Sequence, residues 1–531
     1  MTSATARPPV AAIPADRATQ ASLSRFLPLL AGIVVVAVGA LIVDGQPVGA
    51  IRDDSMYVLL AKALATGHGY RWLHLPGTPA AIHFPPGYPA VLALLWTLFP
   101  AFPGNVIVFK LANALFAGAA AFGVARLART RFAMSEVAAQ GFAIAALLAS
   151  PVLALVARVM SEPLFLALLV PALLLAERAV ADSKTRARDL VVLGVLSGCI
   201  TLVRTHGIAL LAAILVLLFM RRRFRDAGVF AAVAVTVLVP WQWWVAAHSG
   251  TFPLSMRGNY ESYAGWLVDG FRTHGVALLG RTALRTTGDL ASMLQIVLAP
   301  SLPSLARILA LLVFVALAAL GARRAWRLAP VYTVFLAVYG LIVVLWPFAP
   351  ARFVWCVWPL ILLLPVTGAR EILAARPTRP NVRMLRYTTL AATALLACGY
   401  AAFNVVGYRA RSWSSASYAA YLRPMLVWVA THTPRDALLA SEAEGTVYLY
   451  TGRHTVPVGS LAIDEYFRTR TAADAASAID TIVQRYHPQA VIVADGFLRI
   501  AVRELAFRQP PVLALVDTIP GGGLVLVPTP R

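Results

Sequence analysis

The sequence predicts a polytopic α-helical membrane protein that ends in a small α/β domain outside the cytoplasm. Three features predict it. Of the 531 residues, 59% are hydrophobic and only 13% charged, with a mean hydropathy of +0.73, far more apolar than a soluble globular chain. Apolar stretches of about 20 residues, the length that crosses a bilayer, recur as far as residue 406. Beyond that they stop, and short helix-like and strand-like segments alternate.

The net charge of +22 raises the question of nucleic acid, but the arginines gather in short tracts between apolar stretches and not along one soluble face. They are read as membrane topology, with no nucleic-acid partner. Cys199, Cys356 and Cys398 all fall inside apolar runs, which excludes a disulfide framework or a metal cluster of cysteine spacing.

About eleven stretches reach or approach spanning length: 27–44, 104–125, 137–156, 160–180, 189–203, 206–220, 228–247, 303–320, 329–346, 354–372 and 387–406. The pair meeting at Arg204-Thr205-His206 can be read as one broken hairpin. With residues 1–26 as a disordered cytoplasmic tail, the tracts Arg126/Arg129/Arg131, Lys184/Arg186/Arg188, Arg221/Arg222/Arg223/Arg225, Arg323/Arg324/Arg327 and Arg376/Arg379/Arg383/Arg386 all lie inside. One choice of orientation thus satisfies the positive-inside rule throughout. It leaves outside two long loops of the membrane domain (27–406), at 45–103 and 248–302, and the α/β domain (407–531).

Within the first outer loop, Tyr57 to Ala65 reads as an amphipathic surface helix. The apolar run Tyr88 to Phe99, after Pro85-Pro86-Gly87, is too short to span, so this loop is expected to form a platform at the membrane surface. In the tail, helices are expected near 418–432, 472–486 and 498–507, and strands near 437–441, 455–458, 489–494, 512–517 and 523–527.

Charged residues in so apolar a chain are the candidates for chemistry. Asp53-Asp54 follows the first span, and two adjacent carboxylates there can bind a divalent cation, take a proton from an acceptor hydroxyl, or simply start a helix. Glu162, in Ser161-Glu162-Pro163, falls on the same outer side; it can join Asp53 in a site or serve as a first-turn residue. Arg204 and His206 interrupt an apolar hairpin, and Arg352 opens the tenth stretch. Guanidinium groups suit a phosphate, although an arginine at a helix end can also reach lipid headgroups. His68, His74 and His83 lack the spacing of a helical zinc motif, and Tyr260, Glu261 and Tyr263 in the second loop carry no specific pattern.

Asp53-Asp54-Ser55-Met56-Tyr57, His83-Phe84-Pro85-Pro86-Gly87-Tyr88-Pro89, Ser161-Glu162-Pro163, the break at Arg204 and Ala351-Arg352-Phe353 together resemble the membrane glycosyltransferases of the GT-C fold. The likeness spans about 27–406 and is greatest to glycosyltransferase family 39, which includes protein O-mannosyltransferases and aminoarabinose transferases. It implies that Asp53 is the catalytic carboxylate, with Asp54 where the family has Glu, and that Glu162 assists metal or acceptor binding. Relatives with Lys-Pro-Pro use the lysine on the lipid phosphate; Phe84 stands there in this chain, so His83, Arg204, His206 and Arg352 are left to supply that contact. The implied reaction transfers a sugar, with inversion, from a polyprenyl-phosphate donor to an extracytoplasmic lipid, glycan or protein. The one cofactor it suggests is magnesium or manganese held by Asp53 and Glu162. The tail then serves acceptor recognition, and the Arg- and Ala-rich composition points to a bacterial inner membrane with the tail in the periplasm. A transporter or lipid flippase is the competing class, since translocation paths also need charges among apolar spans; the paired halves common in transporters are not visible. A non-catalytic envelope-assembly protein is the third.

Overall fold

In a computed structural model of the protein, residues 26–182, 185–376, 379–459, 461, 465 and 468–530 are described. The tail expected over 1–26, save Phe26, and Lys184 of the second basic tract lie outside them.

In hydrocarbon a chain must satisfy its own backbone polar groups, so the apolar stretches fold as helices. In order they are α1 (Leu30–Leu41), α2 (Arg52–Ala65), α3 (Gly87–Leu98), α4 (Asn105–Phe132), α5 (Glu136–Leu147), α6 (Ser150–Val156), α7 (Glu162–Ala181), α8 (Ala187–Val203), α9 (Ile208–Met220) and α10 (Phe224–His248). The second outer loop holds α11 (Leu254–Tyr260), α12 (Tyr263–His274) and the start of α13 (Ala277–Leu298). Then come α14 (Ser304–Leu328), α15 (Pro330–Leu345), the short α16 (Ala351–Cys356), α17 (Trp358–Ala374) and α18 (Pro380–Arg409).

Among the described residues, five helices are long and apolar enough to cross a membrane: α4, α7, α10, α14 and α18; α5 and α6 make up to six if that bent pair is one span. The sequence suggested about eleven. One cause of the difference is visible at 137–156, where the chain bends by 71° between α5 and α6. Pro151 sits in the first turn of α6, where it has no intrahelical bond to lose, and Asn404 Oδ1 accepts the Ser150 N–H at 2.7 Å. The stretches at 27–44, 206–220 and 329–346 fold as shorter apolar helices.

The two spans most enclosed by protein are α7 and α4, with 67% and 56% of their apolar windows buried, whereas α14 and α18 have only 17% and 6%. The first pair therefore forms the centre and the second the rim. At that rim α14 and α17 cross closely because Gly321 and Gly368 face each other's helix. A methyl group on Gly368 would run into the Leu317 carbonyl, and one on Gly321 into that of Leu364.

The first outer loop departs from expectation. Nine of the fourteen residues of α2 are buried, so it is an internal element and not a surface helix. It packs on α3 and is covered by the second outer loop and by the C-terminal segment. Its weak amphipathicity is explained by this enclosure on several sides.

The C-terminal segment contains α19 (Ala416–His432), β1 (Leu438–Ser441), α20 (Glu444–Thr451), β2 (His454–Pro457), α21 (Ala472–Tyr486), β3 (Ala490–Val493), α22 (Gly496–Phe507), β4 (Leu513–Ile519) and β5 (Gly523–Pro528). The strands form one sheet in the order β2-β1-β3-β5-β4, parallel across β2-β1-β3 and antiparallel across β3-β5-β4. Both faces are covered, as near-continuous apolar strands require: Leu439, Ile492 and Val525 pack under α19, while Ala440, Val491, Val493, Leu524 and Leu526 join the larger core with α21 and α22. The helix α20, which the sequence did not suggest, lies against α2.

Replacement of Gly368 by Val should lower the stability of the purified protein by about 1–3 kcal/mol through overpacking of the α14–α17 crossing. Thermal unfolding in detergent measures it, and an unchanged midpoint would refute that close approach.

Candidate active site

Asp53, Glu162, Arg204 and Arg352 come from four separate elements and meet in one chain of alternating charge. Asp53 lies in the first turn of α2, Glu162 opens α7, Arg352 lies on α16, and Arg204 occupies the extended residue that ends α8. Arg352 Nη1 donates to Asp53 Oδ2 at 2.6 Å while its Nε donates to Glu162 Oε1. Arg204 Nη1 pairs with the same Glu162 oxygen at 2.8 Å and donates to Ser161 Oγ at 2.9 Å. Tyr57, one turn along α2, places its hydroxyl 3.2 Å from Ser161 Oγ. Glu162 and Arg204 are buried; Asp53 and Arg352 stay partly exposed.

Asp53, Tyr57, Arg204 and Arg352 line a small cleft of about 50 Å³ together with His206 and Tyr263, and Glu162 stands behind the two arginines. Three polar atoms at or beside it are buried without a hydrogen-bond partner among the described residues: Glu162 Oε2, Arg204 Nε and His206 Nε2. Buried polar atoms are normally satisfied, so this concentration marks a place prepared for a polar ligand or water. Burial alone would push the Asp53 carboxyl up, but the charge and hydrogen bond of Arg352 outweigh it and hold Asp53 below the usual carboxylate range, hence ionised.

Consecutive residues on a helix point about 100° apart, and the neighbours of Asp53 accordingly go elsewhere. Asp54 faces away from the cleft: its Oδ1 accepts the Gly49 N–H at 2.5 Å, and burial pushes its carboxyl up to about 7. It closes the turn leading into α2. His83 is also outside the group that lines the cleft. Its Nδ1 donates to the Glu261 carbonyl at 2.7 Å, and burial brings its pKa down to about 4, so it is neutral and supplies no positive charge at neutral pH. His206 does line the cleft, its ring stacked on Phe353 at 4.6 Å. His74 is buried against the Tyr260 hydroxyl at 3.0 Å, far from any zinc geometry.

Magnesium or manganese does not suit this donor set. Arg352 already occupies the position between the Asp53 and Glu162 carboxylates, and Arg204 adds a second guanidinium. Among the described residues, no group of three or more His, Cys, Asp or Glu side chains converges to hold a metal ion.

Ser161, Arg52 and Glu444 are the participants that sequence reasoning did not single out, while Tyr260 and Tyr263 were named there without a specific pattern. Ser161 and Arg52 adjoin chosen residues, and the two tyrosines sit in a loop already flagged. Nothing in the sequence distinguishes Glu444.

No known protein family and no curated protein matches the chain by sequence. Solved structures do. The crystal structure of ArnT from Cupriavidus metallidurans bound to undecaprenyl phosphate superposes with a TM-score of 0.54 at 15% identity, covering 94% of this chain and 98% of that one. ArnT in the apo state gives 0.51 at 13% identity, covering 97% and 100%. The chain has the GT-C fold. The superposition on the first ArnT structure covers nearly the whole of each chain.

Substitution of Glu162 by Ala leaves two guanidinium groups facing each other without their shared anion. Loss of one partner from such a buried network costs about 3–5 kcal/mol. Thermal unfolding should drop accordingly, and a stability equal to wild type would show that the charges are not coupled.

Proposed function

We propose that this GT-C protein is a glycosyltransferase that moves a sugar from a polyprenyl-phosphate donor to an acceptor hydroxyl outside the cytoplasm, with Asp53 as general base. The observation that carries this reading is the double position of Arg352. It lines the small polar cleft beside Asp53, and it also lines an apolar cavity of about 530 Å³ walled by Leu155, Ile296, Trp355, Phe403 and Val406. A donor with a phosphate between a sugar and a long hydrocarbon needs such a junction, with polar space on one side of a cation and apolar space on the other. Arg158 lines the same cavity, with its Nε buried and unpartnered among the described residues.

The chemistry follows from the charges. Asp53 takes the proton of the acceptor hydroxyl as its oxygen attacks the anomeric carbon, and the bond from that carbon to the phosphate oxygen breaks with its electron pair going to the phosphate. Arg352 uses Nε and Nη1 for the two carboxylates, which leaves its Nη2 for the departing phosphate; Arg204 offers its orphaned Nε. Inversion requires the acceptor oxygen to reach the anomeric carbon on the face opposite the departing phosphate. Neither step needs a metal ion. The proposal sets this cleft on the extracytoplasmic side of the bilayer, the periplasmic side of an inner membrane in a bacterium, and the distribution of the basic tracts supports that orientation. ArnT, of the same fold, was crystallised with undecaprenyl phosphate, a lipid of the class proposed as donor carrier.

The test is incubation of the purified protein with a panel of polyprenyl-phosphate sugars, with and without chelator, and detection of the released lipid phosphate. Asp53→Asn should lose about 10²–10⁴-fold in rate while remaining folded; undiminished transfer by that variant rules out Asp53 as base. Arg352→Gln should weaken donor binding and displace the acid limb of the pH profile upward. The sign follows because Arg352 keeps the Asp53 carboxyl below its ordinary value, so activity that requires ionised Asp53 survives to lower pH in the wild type than in the variant. An acid limb that stays in place in Arg352→Gln would separate Asp53 from Arg352 functionally.

A further inference from the structure

One residue before Asp53, a second buried charged group ties the cleft to the C-terminal sheet. Arg52 Nε donates to Glu444 Oε1 at 2.9 Å, and Arg52 Nη2 stands 2.8 Å from the same oxygen. The Tyr260 hydroxyl, from α11, donates to that oxygen at 3.0 Å, and the Arg52 guanidinium lies over the Tyr260 ring at 5.1 Å. Glu444 and Tyr260 are almost wholly buried.

Glu444 is the first residue of α20, and its neighbours press on the same turn. Gly445 backs onto Met56 and Ser55 of α2, where an added Cβ would stand 3.2 Å from the Met56 thioether and 3.3 Å from Ser55 Oγ, closer than ordinary contact. Thr446 Oγ1 donates to the Val48 carbonyl at 3.3 Å, and the Tyr450 hydroxyl accepts the Val48 N–H at 3.3 Å. The segment leading into α2 and its first turn are thus held by the tail, yet Glu444, Arg52 and Tyr260 do not line the cleft.

We propose that Glu444 is a positioning residue that fixes Asp53 through Arg52, so that the C-terminal sheet serves as scaffold for the active site. Among the described residues Arg352 alone hydrogen-bonds the Asp53 carboxylate, and one such partner leaves the carboxylate free to swing about it. The backbone of residues 52–54 must therefore be set from behind. Arg52 does this because adjacent helical residues rotate together: a guanidinium clamped to Glu444 defines the rotation of α2, hence the direction in which Asp53 points. Glu444 also neutralises Arg52, which otherwise stands unpaired beside Asp53 and competes with Arg352 for it. This role rests on the reading of Asp53 as the base, and it gives the tail a task distinct from acceptor recognition.

The experiment compares Glu444→Gln, Glu444→Asp, Arg52→Gln and the Arg52→Gln/Glu444→Gln double variant as full-length protein in detergent. Amide hydrogen exchange by mass spectrometry should show peptides covering residues 50–57 exchanging about tenfold faster in Glu444→Gln and Arg52→Gln, with α14 and α18 unchanged. Affinity for undecaprenyl phosphate should stay within twofold, because Arg204 and Arg352 are untouched. In the transfer assay kcat should fall about 10–100-fold, as a displacement near 1 Å can cause. The double variant should lose no more than either single one, since both remove one interaction. Glu444→Asp should recover part of the rate.

Unchanged exchange at 50–57 overturns the proposal, as does a loss in kcat matched by an equal loss in lipid-phosphate affinity, or single-variant losses that multiply in the double variant. If Glu444→Gln does not fold, Arg52→Gln decides by the same measurements. The two readings separate cleanly. Transfer by Asp53→Asn sinks the catalytic assignment whatever the exchange data show, and unaltered exchange with inactive Asp53→Asn sinks only the positioning role.

Discussion

Asp53, Arg352, Glu162 and Arg204 neutralise one another, and the arrangement of the membrane part depends on that neutrality. A lone charge buried among apolar helices is expensive, while two anions alternating with two cations leave no net charge. Each member is held by a different element, so the network also works as a register. If α7 turned on its axis, Glu162 would leave Arg204 and Arg352 together; if α2 turned, Arg352 would keep Glu162 and lose Asp53.

The elements that deliver Glu162, Arg204 and Arg352 share a local device, which is the interruption of a helix. Arg204 has an extended backbone between α8 and the single 3₁₀ turn that starts the next helix. Arg352 lies on α16, which Val357 separates from α17. Glu162 begins a helix whose second residue is Pro163. A long side chain at a helix end can leave the helix axis and reach its partner, whereas the same residue in mid-span would be confined to one face. Interruption costs backbone hydrogen bonds, and neighbouring side chains meet some of the freed groups: Asn113 Nδ2 donates to the Met160 carbonyl before α7, and the Tyr339 hydroxyl to the Phe353 carbonyl of α16.

How much of this was readable in the sequence follows from cost. Asp53, Glu162, Arg204 and Arg352 stood out because a charge in an apolar chain demands an explanation, and the structure brings those four together. Which of Asp53 and Asp54 faces the cleft was not readable from spacing, since the choice depends on the rotation of α2 and hence on packing from α3, α11 and α20. His83 shows the same limit: its partner is a backbone carbonyl 178 residues away, and its neutral state comes from burial. The α/β pattern of the tail was legible because its strands are short apolar runs between polar turns. Its helix α20 was not, since Glu444 to Thr451 mixes small, polar and aromatic residues without helical periodicity. The stretch at 137–156 shows a related limit, because hydropathy registers apolar residues but is blind to the 71° bend there.

The position of α2 has a consequence for how such a site could be assembled. A carboxylate that must be ionised and precisely aimed is better placed on an enclosed helix than on a surface loop, where water would screen its partners. Enclosure of α2 requires cover from outside the membrane, and the second outer loop and α20 provide it. The tail is then not an accessory: residues 46–56 exchange hydrogen bonds with Glu444, Thr446, Tyr450 and Arg423. A GT-C membrane part deprived of its sheet would expose Met56, Tyr260 and the Arg52 charge together, so the two parts of the chain are expected to have been selected as one folding unit.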